Sequence, residues 1–372
     1  MHKLTLLLVV ISFIAPVNAG VKLEDMNWTQ RGCNSSHTGS CQWTLGPTLN
    51  GSSPVILDGV IEGVATWGDQ IIVNLQNNEI GSYTKNRQYL WTTTLKSKPI
   101  GVPAISGKII FIQTAEGNLV KIDAYKGKIL MDNKINADGA TDVAISGNFA
   151  VFGGKNQVVC MNVKSNLRKW HFQTEDTPQP VSIYGSYVII NHQSKLSCLN
   201  LFTGKKVWEL STNAREIFTG TPVIGSGLVF ISTLGNKLKA FSVFSGSEIW
   251  VKDTVSVTPV TFDNGKIYFP STDGIYCCNA WNGEQIWKSN PGGTPALVWA
   301  QLAKAQNCLV IPCKDGKVYI LNTDSGKQIS TVQVSHQIAI EIAVGNDYLV
   351  VPDNSFKSTK GNGLWVFIST QR

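Results

Sequence analysis

The sequence predicts an all-β protein, an eight-bladed β-propeller of four-stranded antiparallel blades in which the N-terminal strand completes the last blade. Three observations carry this prediction: a repeat of about 40 residues, a series of short strand-like segments in each repeat, and unpaired strands at the two ends of the chain. The 372 residues are 43% apolar and only 15% charged, which excludes a mainly disordered chain.

The repeat is marked by a hairpin in which a turn residue is followed four positions later by a large side chain, usually tryptophan. Glycine occupies the turn position in five of seven units, and Arg87 and Asn166 occupy it in the other two. Successive units are 37 to 43 residues apart, which is the size of a propeller blade. The positions in the tryptophan column are Trp91, Met131, Trp170, Trp208, Trp250, Trp287 and Ser330.

Each unit also contains the other strands of a blade. In the second unit, residues 102–105, 109–113 and 119–123 have the apolar composition of strands, and turn residues such as Gly107 separate them. The middle strand of this set is apolar on both faces, as expected for a sheet packed between two neighbouring sheets. The turn spacing excludes a helical solenoid.

The two ends of the chain are predicted to share an eighth blade. Seven complete units cover about residues 60–334. The rest of the C-terminal part supplies three further strands, residues 338–344, 348–352 and 364–369. Near the start, residues 42–45 resemble the outer-strand residues 91–95, so we expect them to provide the missing fourth strand and close the ring. The alternative is seven blades with a loose tail.

The N-terminal residues predict the cellular location of the protein. Residues 1–19 have the basic start, short apolar stretch and small final residue of a secretory signal peptide, with cleavage after Ala19. Residues 20–372 are predicted to form a single propeller domain. We expect a monomer without a membrane span, either secreted or in the lumen of the secretory pathway. The net charge of +7 is spread without a basic run, so nucleic acid is not an expected partner.

The cysteines and the glycosylation motifs are consistent with a location in the secretory pathway. Cys33 and Cys41 flank a polar loop that suits a tight return, so we predict a disulfide between them. The other six cysteines lie in apolar strands, where buried thiols are the ordinary expectation. Three acceptor triplets for N-glycosylation begin at Asn27, Asn34 and Asn50.

Two stretches resemble a known family. The hairpin over residues 201–208, Leu-Phe-Thr-Gly-Lys-Lys-Val-Trp, is similar to the repeat of pyrroloquinoline quinone (PQQ) enzymes and their non-catalytic relatives. The openings Trp28-Thr29-Gln30-Arg31-Gly32 and His37-Thr38-Gly39 resemble the start of such propellers, including the barrel-assembly lipoprotein of bacterial outer membranes. The resemblance implies the propeller fold. It leaves the activity open, because the family contains both quinone-dependent dehydrogenases and scaffolds without a cofactor.

The alternative function is a PQQ- and calcium-dependent oxidoreductase acting on an alcohol or sugar. The resemblance implies a vicinal disulfide beside the quinone, for which Cys277 and Cys278 are the candidates. These cysteines, however, lie in an ordinary repeat strand, where consecutive residues face opposite ways. Glu62, Asp142 and Glu341 lie on or near inner strands and are the candidates for a Ca²⁺ site, unless they are solvated or bonded to the backbone.

We expect instead a non-catalytic scaffold that binds a protein or a glycan and needs no cofactor. The sequence contains no recognisable nucleophile elbow, phosphate loop, Ser/His/Asp constellation or metal-ligand spacing, so no catalytic residue is assigned. The hairpin tips carry four large aromatic residues two positions before the turn residue, and three of the tips belong to consecutive blades. These residues are Tyr125, Phe202, Phe244 and Trp281. They predict an exposed contact surface, the alternative being that each ring packs on a neighbouring hairpin.

Overall fold

A computed structural model describes residues 29–46, 48–51, 53–135, 139–213, 216–255, 258–293, 300–334, 341–354 and 362–370. These residues form eight antiparallel sheets around a central channel, so the prediction of an all-β, eight-bladed propeller is confirmed. The signal peptide predicted over residues 1–19 lies outside the described ranges. Over those ranges, no helix has the length and apolarity needed to cross a membrane.

The strands are numbered along the chain, and most blades are continuous in sequence. Two short strands come first, β1 (Thr48–Asn50) and β2 (Val55–Leu57). Seven blades follow, each written from the channel outwards. Blades 1 to 4 comprise β3 (Ile61–Trp67), β4 (Gln70–Leu75), β5 (Glu79–Thr84) and β6 (Tyr89–Thr94); β7 (Pro99–Ser106), β8 (Ile109–Thr114), β9 (Asn118–Asp123) and β10 (Ile129–Lys134); β11 (Gly139–Ser146), β12 (Phe149–Gly154), β13 (Gln157–Asn162) and β14 (Arg168–Gln173); and β15 (Ser182–Tyr184), β16 (Tyr187–His192), β17 (Lys195–Asn200) and β18 (Lys206–Ser211).

Blades 5 to 7 continue the same order. They comprise β19 (Phe218–Gly225), β20 (Leu228–Thr233), β21 (Lys237–Ser242) and β22 (Glu248–Asp253); β23 (Thr261–Asp263), β24 (Lys266–Ser271), β25 (Gly274–Asn279) and β26 (Gln285–Ser289); and β27 (Ala303–Lys304), β28 (Cys308–Pro312), β29 (Lys317–Asn322) and β30 (Gln328–Gln333). A 3-10 turn, Pro291–Gly293, follows blade 6.

The eighth blade joins the two ends of the chain. Its inner three strands are β31 (Ala343–Gly345), β32 (Tyr348–Asp353) and β33 (Asn362–Thr370). Its outer edge is β1, which pairs antiparallel with one end of β33, and β2, which pairs with the other end. The alternative of seven blades with a loose tail is therefore wrong. The N-terminal part closes the ring, as predicted.

The closing strand is not the segment that the sequence indicated. Residues 42–45 are not a strand; the closing strand β1 lies a few residues later. The reason is that residues 42–45 cross from blade 7 to blade 8. The backbone nitrogen of Gln306 donates to the Trp43 carbonyl at 2.7 Å, and the Asn307 amide donates to the Leu45 carbonyl at 3.3 Å. These bonds attach the segment to the first turn of blade 7.

The tryptophan column links each blade to the next. The indole Nε1 of Trp170 donates to the Leu201 carbonyl of the following blade at 2.7 Å, and four other tryptophans of the column make the equivalent bond. Each carbonyl lies three positions before the next turn residue. Every indole is thereby satisfied while most of its apolar surface is packed between two sheets.

One blade interface uses different residues for the same bond. Blade 2 has Met131 in the column, which lacks an N–H donor. There the Lys121 ammonium donates to the equivalent carbonyl, that of Val163, at 2.5 Å, and also to the side chain of Asn166. Burial lowers the pKa of Lys121. The interface has thus replaced a tryptophan donor by a buried lysine and a turn glycine by asparagine.

Candidate functional site

The central channel is filled at one end by the chain's own N-terminal segment. Residues 29–40, here called the channel plug, pass the inner strands of blades 2 to 7 in order. Backbone nitrogens at equivalent positions of five inner strands donate to plug carbonyls at 2.7 to 2.9 Å; the donors are Ile105, Ile183, Ile224, Phe262 and Lys304. In blade 3 the Ile145 nitrogen donates instead to the Gln30 side chain at 2.9 Å.

The plug explains the opening motif on which the family resemblance rests. Gly32 and Gly39 have φ of +57° and +67°, and a Cβ on either would lie 2.8 Å from a neighbouring side-chain oxygen. Their backbones hydrogen-bond to each other at 2.9 Å, so the segment between them forms a closed loop. Inside this loop the Asn34 carboxamide oxygen accepts from the backbone nitrogens of Ser36 and Thr38. The two glycines are required because no larger residue fits the channel in that conformation.

A partly buried charge cluster holds the plug across the ring. The Arg31 guanidinium donates to Asp142 of blade 3 through Nε and to Glu341 of blade 8 through Nη1. Asp142 also accepts from the backbone nitrogen of Val102 in blade 2 at 2.6 Å. Burial raises the pKa of Glu341, and the neighbouring Asp142 charge adds to that rise, whereas Arg31 opposes it. Two carboxyl groups therefore share one cation.

The three acids considered for a calcium site do not form one. Asp142 and Glu341 lie on the Arg31 guanidinium, and Glu62 pairs with Lys98 at 2.7 Å. Within the described ranges, no three histidine, cysteine or acidic side chains come together as ligands for a metal ion. Because Asp142 and Glu341 are held on one guanidinium and Glu62 pairs with a separate ammonium, the arrangement does not fit Ca²⁺.

The other end of the channel is an open, blind pocket of about 510 Å³, here called the vestibule. It is formed where the inner strands begin, and Arg31, Gln301 and Glu341 lie among its lining residues. Gln301 is 4% exposed and donates to carbonyls of the plug and of blade 6, so it helps to seal the base. The walls carry amide and hydroxyl groups such as those of Gln179 and Thr221.

Cys277 and Cys278 lie inside blade 6 and not in the channel. Both are buried, and they face opposite sides of β25: Cys277 packs with Leu309 of blade 7, and Cys278 packs with Phe230 of blade 5. Burial raises the pKa of Cys277 to about 12. The pair therefore does not fit the vicinal disulfide of a quinone site, and the carboxylates at the vestibule base do not fit a quinone that itself carries three carboxylates.

The four aromatic tips lie at the end of the propeller away from the vestibule. Tyr125, Phe202, Phe244 and Trp281 are 54 to 58% exposed. Three of them also make edge contacts with a ring of the preceding blade, with centroids 4.8 to 5.6 Å apart. Tyr125, Phe202 and Phe244 are thus both exposed and in contact with a neighbouring ring, and the role of the four tips as a contact surface stays a prediction.

The predicted processing sites fall in different environments. Asn50 is an exposed residue of the outermost strand of blade 8, whereas the Asn34 amide is hydrogen-bonded inside the plug. Asn27 lies outside the described residues. Cys33 and Cys41 are buried in the same apolar cluster, and their pairing stays a prediction.

The sequence did not reveal the plug. Its polar residues predicted only a loop with a tight return, whereas most of them are buried or half-buried in the channel. The available signal was the pair Gly32 and Gly39 around a run rich in Asn and Ser, which is typical of a segment that must follow a narrow path. That the inner strands leave backbone donors for such a segment is visible only in the structure.

Comparisons with known proteins agree with the propeller fold. A family model described as "Outer membrane protein assembly factor BamB" matches residues 76–289. A Yersinia pestis protein of that name is 22% identical over 304 residues, which cover 77% of this chain and 66% of the relative. One from Moranella endobia is 24% identical over 135 residues, 34% of its own length. The chain thus spans between a third and two thirds of these curated relatives.

Solved structures show the same fold. BamB from Moraxella catarrhalis superposes with a TM-score of 0.69 at 19% identity, over 86% of this chain and all of that one. A europium-containing methanol dehydrogenase gives a TM-score of 0.76 at 12% identity, over 93% of this chain and 98% of the other. At these identities the likeness concerns the fold alone. Because the family model covers more than half of the sequence, the chain belongs to the BamB family of PQQ-like propellers.

Proposed function

We propose that this protein is a non-catalytic, extracytoplasmic scaffold that binds a protein partner through its aromatic hairpin tips. The observation that carries this proposal is the arc formed by Phe202, Phe244 and Trp281 on three consecutive blades, each more than half exposed. Aromatic side chains that are already packed on one face lose little freedom when they bury the other, so they are effective contact residues.

The channel supports a scaffold rather than an enzyme. One end is occupied by the plug, and the vestibule base carries excess carboxyl groups that disfavour an anionic quinone. No residue set suited to PQQ and calcium is present among the described side chains, so no catalytic step is assigned. The PQQ-dependent oxidoreductase is the less favoured alternative.

The family supports a protein as the partner and a location outside the cytoplasm. The relatives are called outer membrane protein assembly factors, a name that refers to the assembly of proteins. A glycan partner and secretion into the medium have no comparable support, although the predicted signal peptide and the exposed Asn50 motif agree with export.

The test is a comparison of affinity capture with three forms of the protein. The triple variant Phe202→Ser, Phe244→Ser and Trp281→Ser removes the arc. Lys164→Ser changes the equivalent tip of blade 3, which carries a charge, and serves as the control. We expect proteins cross-linked by the wild type to be depleted at least tenfold with the triple variant and retained with Lys164→Ser.

Two further measurements separate the alternatives. A loss of more than a few degrees in the melting temperature of the triple variant would show that the rings are mainly packing residues, contrary to the proposal. Reduction of a dye with an alcohol or sugar after addition of PQQ and Ca²⁺ would favour the oxidoreductase. Capture abolished by removing glycans from the extract would identify a glycan partner instead.

A further inference from the structure

The vestibule is a second, independent candidate for ligand binding. It lies at the opposite end of the channel from the aromatic tips, and the plug closes its base. A pocket of about 510 Å³ that is blind and lined by one segment from nearly every blade has the size of a small-molecule or side-chain site. Its chemistry is determined by the few charged groups at the base.

The base carries more acidic than basic groups. Arg31 is shared between Asp142 and Glu341, and on the wall Glu62 and Lys98 neutralise each other. Within the part of the chain that the structure describes, the other titratable group nearby is His37 of the plug; burial lowers its pKa to about 3, so it is neutral. The described residues around the base thus leave one carboxyl group without a cation of its own.

Glu341 is the carboxyl group with unused bonding capacity. Its Oε1 accepts from Arg31, whereas its Oε2 is shielded from bulk water and has no hydrogen-bond partner among the described residues. The side chain borders the vestibule. A carboxyl oxygen that is neither solvated nor bonded is costly. Because the Glu341 side chain is 16% exposed, a small rotation would present this oxygen to a donor in the vestibule and remove that cost.

We infer that the vestibule binds a cationic side chain, an arginine or lysine carried by a peptide, with Glu341 accepting the charged hydrogen bond. The amide and hydroxyl groups of Gln179 and Thr221 on the wall are suited to the peptide groups on either side of that residue. The Arg31 guanidinium between the two carboxylates disfavours a metal ion, and the excess acidity disfavours an anion. The size of the pocket admits the side chain together with part of its backbone.

The probe is Nα-acetyl-arginine N-methylamide, compared with its neutral citrulline analogue by saturation-transfer nuclear magnetic resonance. We expect the arginine compound to bind at least tenfold more tightly than the citrulline compound. Binding should strengthen as the pH rises, because only the ionised form of Glu341 offers the full charge. Glu341→Gln should weaken binding at least tenfold, whereas Glu284→Gln, at an exposed hairpin tip, should leave it unchanged.

A second variant keeps the inference testable if Glu341→Gln folds poorly. Gln179 is exposed at the vestibule wall, so Gln179→Arg places a resident cation in the pocket without disturbing a buried contact. It should block the probe, and Gln179→Glu should strengthen binding. Equal affinity for the arginine and citrulline compounds, or unchanged binding to Gln179→Arg, would overturn the inference. Neither result bears on the aromatic tips, which are tested by affinity capture.

Discussion

Gly204 lies directly against the indole ring of Trp170 in the preceding blade, so close that a Cβ on Gly204 would be 2.6 Å from the ring. The same contact occurs between Gly127 and Trp91, and in three further blade pairs. Glycine is therefore required at the turn for two reasons: the contact with the tryptophan of the previous blade, and the positive φ of the turn residue. Where that tryptophan is absent, the turn accepts a side chain, as Asn166 shows after Met131.

Gly204→Ala should be strongly destabilising. The methyl group meets the Trp170 ring, and the residue must also keep a φ of +69°, so we expect a loss of about 3 kcal/mol in the free energy of unfolding. Gly147→Ala is the matched control, since Gly147 has a φ of +56° but nothing within 4 Å of its Cβ position. Denaturant unfolding of both variants measures the difference, and equal losses would contradict the steric explanation.

Substitutions should convert the interface between blades 2 and 3 to the tryptophan–glycine contact of the other interfaces. Met131→Trp alone should destabilise, because the new ring meets Asn166 and the Lys121 ammonium. Adding Asn166→Gly and Lys121→Ala should restore most of the lost stability, since the indole can then donate to the Val163 carbonyl. Thermal melts of the single and triple variants test this coupling; additive losses would show that the three positions are independent.

The pH dependence of stability should contain a contribution from Glu341. Its pKa in the folded protein is raised above the ordinary value of 4.5, so the folded state holds a proton that the unfolded state has released. This contribution to stability consequently falls as the pH rises from about 4.5 towards the raised value. Glu341→Gln should remove this loss, whereas Glu284→Gln should keep it. Unfolding free energies measured between pH 4 and pH 8 provide the check.

The thiols of the third strands should be inert in the native protein. Burial raises the pKa of Cys160, Cys198 and Cys277 to about 12, which leaves about one thiolate in ten thousand at pH 8. Iodoacetamide should label these residues only after denaturation, as peptide mapping by mass spectrometry would show. If Cys277 and Cys278 stayed unlabelled in denaturant without reductant, a disulfide would be present and the packing role assigned here would be wrong.

The blades could be predicted from sequence because their signals are local and repeated. A turn glycine, four strands and a tryptophan recur in neighbouring residues, so repeated units reinforce one another. Arg87 and Asn166 match the repeat less well than glycine does. The reason is that the residue that requires glycine at a turn, the tryptophan, is in another blade. That dependence is long-range, and a single unit does not display it.

The candidate site could be predicted only in part from the sequence, for the same reason. The sequence places the acids Asp142 and Glu341 near the channel. Arg31, which brings them together, is more than 100 residues away from either in the sequence. The closing strand was misplaced because residues 42–45 resemble an outer strand in composition, while their hydrogen bonds go to the first turn of blade 7. The tips were predicted correctly as exposed, because tip position follows from the repeat itself.

The path of residues 29–40 has a consequence for biosynthesis. The segment precedes all the blades in the sequence, so it is synthesised before them, and it meets blades 2 to 7 in the order in which the ribosome produces them. Each new innermost strand can therefore hydrogen-bond to carbonyls of residues 29–40, which have already been synthesised. Completion still waits for the last strand, since β1 has no partner until β33 has been synthesised. Residues 29–40 thus guide the assembly of the inner strands, and the nearby strand β1 completes it by pairing with β33.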